Sequence, residues 1–256
     1  MNLARFTRVL AATAVIAGFF AAWELICRLL HVSDLVLPLP SRILLTMVTR
    51  FPDLWPHLAQ TVMTTLAGFA LGVAAGVVMG IMVGSSRLAY DTLYPLLIGF
   101  SSVPKVAIIP IFVIWFGVGT IPAILTALSL SVFPVVVNVA TGISTSDPEL
   151  EDVLRALGAS KGDILWNVAL PRTLPYLFAS LKVAITVAFI GSITSETIAS
   201  NYGIGTVMMV ASANFDIALL FAGLGLISIT GIALYVLFSF FEAHFTGWAT
   251  RKSAVA

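Results

Sequence analysis

Long apolar stretches alternate with short polar, glycine-rich or proline-rich breaks along almost the whole chain. A helix needs about 20 mostly apolar residues to cross the roughly 30 Å hydrocarbon core of a bilayer at about 1.5 Å per residue. Six stretches satisfy this requirement, and they predict an all-α integral membrane protein with about six transmembrane helices. Their approximate bounds are Val9–Leu30, Thr61–Gly84, Thr92–Phe116, Pro122–Ile143, Leu174–Ala199 and Ile217–Phe241.

The composition excludes a soluble protein. Hydrophobic residues make up 59% of the 256 residues, only 10% are Asp, Glu, Lys or Arg, and the mean hydropathy is +1.06. Because soluble domains carry roughly 25% charged residues, this chain has too little charge to cover a water-facing surface. The net charge of +1 provides no basic field for nucleic acid. The single cysteine, Cys27, lies in an apolar stretch, so we expect a small buried side chain and no internal disulfide.

The distribution of Lys and Arg predicts the orientation, because cytoplasmic loops of membrane proteins are enriched in these residues. If the amino terminus is cytoplasmic, the outer side holds Arg42 and Arg50, with Arg28 near the end of the first span. We therefore expect both termini in the cytoplasm. The basic residues on that side are then Arg5, Arg8, Arg87, Arg155, Lys161, Arg172, Arg251 and Lys252.

The outer segment between the first two spans, residues 31–60, contains four prolines. Within it, Ser41 is a plausible N-cap for a short helix from Ser41 to Met47 with one apolar face, and we expect this helix to lie along the membrane interface. His31 and His57 have no companions at metal-ligand spacing, which favours solvated loop histidines.

Glycines recur every fourth residue in the second span, at Gly68, Gly72, Gly76 and Gly80. This spacing places them on one helix face, where the absence of side chains lets a second helix approach closely. We interpret the stripe as a helix-packing surface.

The predicted cytoplasmic loop 147–171 holds a large share of the charge and reads DPELEDVLRALGASKGDILWNVALP. Asp147 before Pro148 is a good helix start, and an apolar stripe of Leu150, Val153, Leu154 and Leu157 follows at helical spacing. Gly158 suits the left-handed conformation that ends a helix. Ser160 and Asp163 are expected to open a second short helix, which Leu170 and Pro171 stop. The apolar stripe must be covered either by the membrane domain or the lipid headgroups, or by a groove on a soluble partner.

This loop resembles the "EAA" coupling loop of ABC importer permeases, in which Glu-Ala-Ala is followed by a glycine and later by Leu-Pro. Here Asp152, Val153 and Leu154 stand at the Glu-Ala-Ala positions, and Gly158 and Leu170-Pro171 agree with the pattern. Other segments resemble the nitrate/sulfonate/taurine branch of these binding-protein-dependent, type I permeases. They are Leu37-Pro38-Leu39-Pro40-Ser41, Val103-Pro104-Lys105, Trp115-Phe116-Gly117-Val118-Gly119, Gly203-Ile204-Gly205 and Ala213-Asn214-Phe215-Asp216.

The resemblance implies one transmembrane permease domain over residues 1–256, with the coupling loop 147–171 inside it. It further implies a bacterial inner membrane protein that pairs with a second copy over two cytoplasmic ATPase subunits. An extracytoplasmic solute-binding protein would deliver a small anionic solute such as nitrate, a sulfonate or taurine, and alternating access would pass it inward. ATP and Mg would be bound by the partner ATPase. The residues that would contact it are Leu150, Asp152, Val153, Leu154, Arg155, Leu157, Gly158, Ala159 and Ser160.

The residues themselves give no sign of an enzyme. A phosphate-binding loop ends in Gly-Lys followed by Ser or Thr, and none of the four lysines follows a glycine. The sequence therefore assigns ATP hydrolysis to another polypeptide.

Ionisable residues inside spans are costly and mark candidate functional sites. Lys105 and Glu196 are the best candidates; the alternatives are snorkelling to the interface for Lys105 and a structural bond to a neighbouring helix for Glu196. Lys182, near the start of the fifth span, is expected to reach the headgroups. Polar residues that would line a translocation path with Lys105 and Glu196 are Ser129, Asn138, Ser192 and Ser195.

A secondary transporter or channel driven by an ion gradient is the main alternative function. Such proteins often show internal repeats and broken helices with paired ionisable groups. A second loop like 147–171 is absent from the sequence, and no convincing repeat is visible.

Overall fold

The computed structural model describes residues 3–145 and 153–250, and every regular element in these two ranges is helical. The first part comprises α1 (Leu3–Leu29), α2 (Pro40–Thr49), α3 (Phe51–Gly84), α4 (Arg87–Ser101), a 3₁₀ turn (Lys105–Ile108), α5 (Ile109–Phe116) and α6 (Thr120–Ser144). The second part comprises α7 (Lys161–Ile164), a π-helical turn (Leu165–Ala169), α8 (Leu170–Ala199), α9 (Ile204–Ala213) and α10 (Ile217–Thr250).

Five helices within the described ranges are long and apolar enough to cross a membrane, and the bent pair α4–α5 raises the number to six. The predicted number is confirmed, but the third span is wrong as a single helix. Its two halves are bent by 74° at residues 102–104. Pro104 is extended, with φ −62° and ψ 104°, and a proline also disfavours helical geometry in the residue before it. Hydropathy alone does not register such a break.

Helix α3 begins at Phe51, well before the predicted start at Thr61. Pro52 lies in its first turn, where a proline has no hydrogen bond to lose, and Asp53 carries a negative charge near the positive end of the helix dipole. The 34 residues of α3 reach about 51 Å at about 1.5 Å per residue, which exceeds the hydrocarbon core of a bilayer.

The predicted short helix before α3 is confirmed as α2, but Ser41 is not its N-cap. Leu39 takes that position, because Pro40 already occupies the first turn. The Ser41 hydroxyl instead donates to Glu24 Oε1 at 2.8 Å, and its N–H donates to Glu24 Oε2 at 3.0 Å. Arg28 also pairs with Glu24, at 2.6 Å. The end of α1 is thereby joined to the start of α2, with Cys27 buried as expected.

The glycine stripe of α3 packs directly against α6, as predicted. A Cβ on Gly68 would lie 2.5 Å from Ala127 Cβ, one on Gly76 would lie 2.7 Å from Val135 Cβ, and one on Gly80 would lie 2.6 Å from Val139 Cβ. Successive glycines meet successive residues of α6 in the same order, so the two helices run parallel.

Helix α8 runs antiparallel to α6 and to α10 and completes the core. Gly191 of α8 packs on Leu130 of α6, and Phe189 packs near Gly231 of α10. The Lys182 ammonium lies 2.5 Å from a carboxylate oxygen of Glu242 on α10. Lys182 thus has a carboxylate partner on the last span, and the expectation that it also reaches the headgroups stays a prediction.

The spans have two distinct ends. We call the end with α2 and residues 117–119 and 200–216 the α2 end, and the end with residues 84–87 and 153–170 the loop end. Helix α8 connects the two, since it starts at the loop end and finishes at Ala199 beside α3.

Gly76→Val is expected to destabilise the protein, because its side chain would overlap Val135 and the Val132 carbonyl. Overpacking of this kind costs about 1–3 kcal/mol, and the thermal unfolding midpoint in detergent should fall. Gly99→Val is the matched control, since a Cβ at Gly99 has no neighbour within 4 Å. Equal midpoints for the two variants would contradict a tight α3–α6 contact.

Candidate functional site

The loop-end segment around Gly158 forms one short helical turn with a defined stop. Residues 153–156 are helical, and the Leu157 N–H donates to the Val153 carbonyl at 3.1 Å. Gly158 has φ +90°, which confirms the predicted left-handed conformation. The Ala159 N–H then donates to the Leu154 carbonyl at 3.0 Å. Gly158 therefore turns the chain sharply at a place that a residue with a side chain would strain.

The apolar side chains of this turn lie on the surface. Val153 is 56% exposed and Leu157 is 78% exposed. Arg155, Gly158 and Ser160 are also exposed, and Leu154 and Ala159 are half-buried. Leu150, Asp152 and the predicted helix start at Asp147 lie outside the described residues.

Ser160 and Asp163 form the predicted cap of the second short helix. The Ser160 hydroxyl donates to Asp163 Oδ2 at 2.6 Å, and the Asp163 N–H donates to the Ser160 hydroxyl at 3.2 Å.

The predicted stop at Leu170–Pro171 is wrong. The helix continues through the π-helical turn, in which the Leu170 N–H donates to the Leu165 carbonyl, and Pro171 falls in the first turn of α8. Pro171 has no backbone N–H to donate. This is tolerated because the backbone hydrogen bonds change there from the spacing of the π-helical turn to that of an α-helix.

A polar layer made of Thr61, Thr64, Ser192 and Glu196 lies at the α2 end. Glu196 on α8 is 2% exposed. Its carboxylate accepts hydrogen bonds from the hydroxyl of Thr61 at 2.7 Å and from that of Thr64 at 3.3 Å. The hydroxyls of Thr64 and Ser192 lie 2.5 Å apart. The layer thus joins α3 and α8 by hydrogen bonds in an otherwise apolar interface.

Three successive backbone N–H groups at the start of α9 donate to side chains of α3 and α8. The Gly203 N–H donates to His57 Nδ1 at 3.2 Å, the Ile204 N–H to Thr61 Oγ1 at 2.9 Å, and the Gly205 N–H to Glu196 Oε2 at 3.3 Å. A helix leaves its first N–H groups without backbone partners, and these contacts satisfy them. The expectation of a solvated His57 is wrong, because the ring stacks on Tyr202 with centroids 5.0 Å apart.

Two glycines make this contact possible. A Cβ on Gly203 would lie 2.2 Å from Glu196 Cδ, and the φ of Gly203 is +118°. A Cβ on Gly205 would lie 2.6 Å from the Ile193 carbonyl oxygen.

Sequence reasoning missed Thr61 and Thr64. Their spacing to the glycine stripe was the available signal, since Thr61, Thr64 and Gly68 share one helix face.

The six predicted path residues fall into separate places. Ser192 and Glu196 belong to the polar layer, and the buried Ser195 hydroxyl has no hydrogen-bond partner among the described residues. Ser129 and Asn138 donate to carbonyls of their own helix, at Leu125 and Pro134. The Lys105 ammonium donates to the carbonyls of Phe100 and Ser101 at the end of α4.

Lys105 and Ser129 share a cavity of about 460 Å³ between α3, α4 and α6. Its remaining walls are mainly apolar, with Met79, Met82, Leu96 and Phe133 among them. The structure therefore brings two of the six residues to this cavity and two to the polar layer.

The described residues form an all-α membrane body with an exposed, glycine-terminated helical turn between two spans, which is the architecture expected from the resemblance to transport permeases. Residues 72–249 match the family described as binding-protein-dependent transport system inner membrane component. This match covers more than half of the chain, and the chain belongs to this family.

Individual relatives agree with the family. The chain is 26% identical over 231 residues to the formylaminopyrimidine transport permease protein ThiX of Halalkalibacterium halodurans, covering 90% of this chain and 92% of the relative. It is 31% identical over 217 residues to the putative aliphatic sulfonates transport permease protein SsuC of Bacillus subtilis, covering 84% and 79%. The fold is similar to that of a chain of the inward-facing MetNI methionine ABC transporter, with a TM-score of 0.60, 20% identity, and coverage of 75% and 94%.

The protein is thus the permease component of an ABC importer and is itself not catalytic, because ATP is hydrolysed by a separate subunit of such systems. Membership in this family excludes the alternative of a secondary transporter or channel driven by an ion gradient. It also implies ATPase and binding-protein partners and a dimeric arrangement.

Thr61→Val should lower the thermal unfolding midpoint in detergent. The change removes one donor to Glu196 and leaves the Ile204 N–H without its acceptor, and an unsatisfied buried polar group costs about 1–3 kcal/mol. Thr65→Val is the matched control: Thr65 is equally buried, but its hydroxyl donates only to the Thr61 carbonyl of its own helix, at 2.7 Å. A loss of stability that is as large for Thr65→Val would show that the cross-helix bonds contribute little.

Proposed function

We propose that this permease pairs with a second copy of itself and couples to two ATPase subunits through residues 147–171. The observation that carries the proposal is the apolar surface of Val153 and Leu157, exposed on a short helical turn that the described part of the chain leaves uncovered. An amphipathic helix with such a face fits a groove on a soluble partner. The contact residues would be Leu150, Asp152, Val153, Leu154, Arg155, Leu157, Gly158, Ala159 and Ser160.

The positive-inside rule supports an orientation with the loop end in the cytoplasm of a bacterial cell and both termini on that side. Arg87 and Arg155 then lie inside, and Arg42 and Arg50 at the α2 end lie outside. In this orientation the ATPases, with their ATP and Mg, meet the loop end, and a solute-binding protein docks at the α2 end.

A continuous helical segment connects the loop to the α2 end. Gly158 and the cap formed by Ser160 and Asp163 lead into α7, and the π-helical turn joins α7 to α8 without a break. Helix α8 then carries Glu196 into the polar layer at the α2 end. When ATP draws the two ATPases together, a movement of the loop would displace α8 relative to α3. Differential contacts in the two states would bias the permease toward one or the other.

The solute is proposed to be a small anion of the sulfonate, taurine or nitrate type. The name of the SsuC relative supports a sulfonate, whereas that of the ThiX relative points to a heterocyclic compound. Lys105 would attract an anion to the cavity that it shares with Ser129. Asn138, Ser192, Ser195 and Glu196 would complete the polar positions along the path.

The proposal is tested by expressing the permease with its ATPase and binding protein and reconstituting the complex in proteoliposomes. ATP-dependent uptake of a radiolabelled aliphatic sulfonate supports both the coupling and the solute class. Uptake of only a pyrimidine in the same assay would overturn the solute class. Uptake that follows a proton or sodium gradient without ATP, or failure of the ATPase to copurify, would overturn the proposed coupling.

Leu157→Asp should abolish solute-stimulated ATP hydrolysis while membrane insertion stays normal, because a buried charge would replace an apolar anchor in the partner's groove. Leu88→Asp is the matched control, since Leu88 is 79% exposed at the same end but outside the loop. ATPase copurification and stimulated hydrolysis are measured for both variants. Full stimulation in Leu157→Asp would contradict the assignment of the loop.

Lys105→Gln should raise the KM for anion uptake several-fold and leave hydrolysis of ATP in the absence of solute unchanged. Lys105→Arg keeps the positive charge and should transport with a KM near that of the wild type. If both variants lower transport equally, the ammonium acts through its bonds to the end of α4 rather than through the solute.

A further inference from the structure

We propose that Glu196 is a positioning residue that fastens residues 200–213 over the α2 end and releases them when the importer opens outward. The proposal rests on the proposed function, because it assigns the carboxylate a part in the transport cycle. The segment contains the turn 200–203 and helix α9, and it connects α8 to α10.

Burial of the carboxylate is the first observation. Glu196 is 2% exposed, and burying a carboxylate costs free energy unless hydrogen bonds compensate it. Its described partners are two hydroxyls of α3 and one backbone N–H of α9. Each of these hydrogen bonds joins α8 to another element, so the carboxylate holds three elements together at one point.

The attachment of α9 is the second observation. Its first N–H groups donate to His57, Thr61 and Glu196, and a carboxylate at the amino end of a helix also meets the positive end of the helix dipole. The Thr206 hydroxyl adds a bond to the Glu196 carbonyl at 3.1 Å. The start of α9 is therefore held by polar bonds to α3 and α8.

Polar bonds of this kind are suited to reversible opening. Gly203 and Gly205 bring backbone against the carboxylate, so no bulky side chain interlocks at these two positions. When the segment lifts, water can take over the bonds of the N–H groups and hydroxyls. The buried Ser195 hydroxyl lies beside the layer and has no hydrogen-bond partner among the described residues. It can therefore form a hydrogen bond that this conformation does not contain.

The carboxylate is also placed where movement of α8 would reach it. Helix α8 starts at the π-helical turn of the loop end and carries Glu196 near its other end, whereas Thr61 and Thr64 belong to α3. A shift of α8 along α3 would separate the carboxylate from its donors and free the start of α9. Ile204, which is fully buried against Leu54 and Leu226, would then become accessible.

Thiol labelling of Ile204→Cys tests this release in the complete importer. The background variant is Cys27→Ala, because Cys27 is the single cysteine. Proteoliposomes that contain the permease, its ATPase and its binding protein are treated with a small membrane-impermeant thiol reagent at the α2 end. Labelling is compared at rest and after trapping with ATP and vanadate.

Slow labelling at rest and faster labelling in the trapped complex are expected. Adding Glu196→Ala should raise the resting rate by about tenfold, because Thr61, Thr64 and the Gly205 N–H then lose their common acceptor. Thr61→Val should act in the same direction, whereas Thr61→Ser, which keeps the hydroxyl, and Thr65→Val should label like the background.

Two outcomes would overturn the proposal. One is an Ile204→Cys thiol that stays unreactive in the trapped complex while ATP-driven transport proceeds, which would leave the proposed function intact. The other is a Glu196→Ala resting rate equal to that of the background. A failure of ATP-driven transport in the wild type would instead refute the proposed function, and the resting rates would still test the fastening.

Discussion

The close approach of α3 and α6 is the contact on which the rest of the structure depends. Lipid tails are as apolar as the helix surfaces, so packing and hydrogen bonds, rather than removal from water, hold membrane helices together. Between Gly68 and Gly84, the glycine stripe lets residues of α6 contact the backbone of α3. With α6 seated there, α8 can contact both helices, and the fold of the core follows from one regular repeat.

That arrangement separates a rigid middle from two polar ends with different chemistry. At the loop end, a few local hydrogen bonds around Gly158 hold a turn whose apolar side chains Val153 and Leu157 are exposed. At the α2 end, Glu196 gathers donors from α3 and α9. Helix α8 belongs to both ends, so an event at one end has a direct structural route to the other. The apolar core between them is close-packed, and interiors of this kind deform little.

Features determined by neighbours in sequence were predicted well, and features determined by distant contacts were not. The caps at Gly158 and Ser160 depend on residues within four positions, and the spans depend on length and hydropathy.

The partners of Glu196 could not be predicted, since Thr61 lies 135 positions away. Pro171 was expected to stop a helix, but it lies in the first turn of α8, where the preceding π-helical turn has changed the hydrogen-bond spacing. His57 was interpreted as a solvated loop residue because no metal-ligand companions lie near it in sequence, but it is half-buried and contacts Tyr202 and Gly203, more than 140 positions away.

The π-helical turn Leu165–Ala169 has an evolutionary consequence. Such a turn holds one residue more than a regular helix would in the same place. Because the extra residue is taken up as a bulge within one turn, loss of a single codon there would restore an ordinary helix and leave the flanking segments close to their present positions. Relatives that differ by one residue at this position would therefore keep residues 153–164 in the same place relative to α8, and the chain can vary in length here without disturbing either side of the turn.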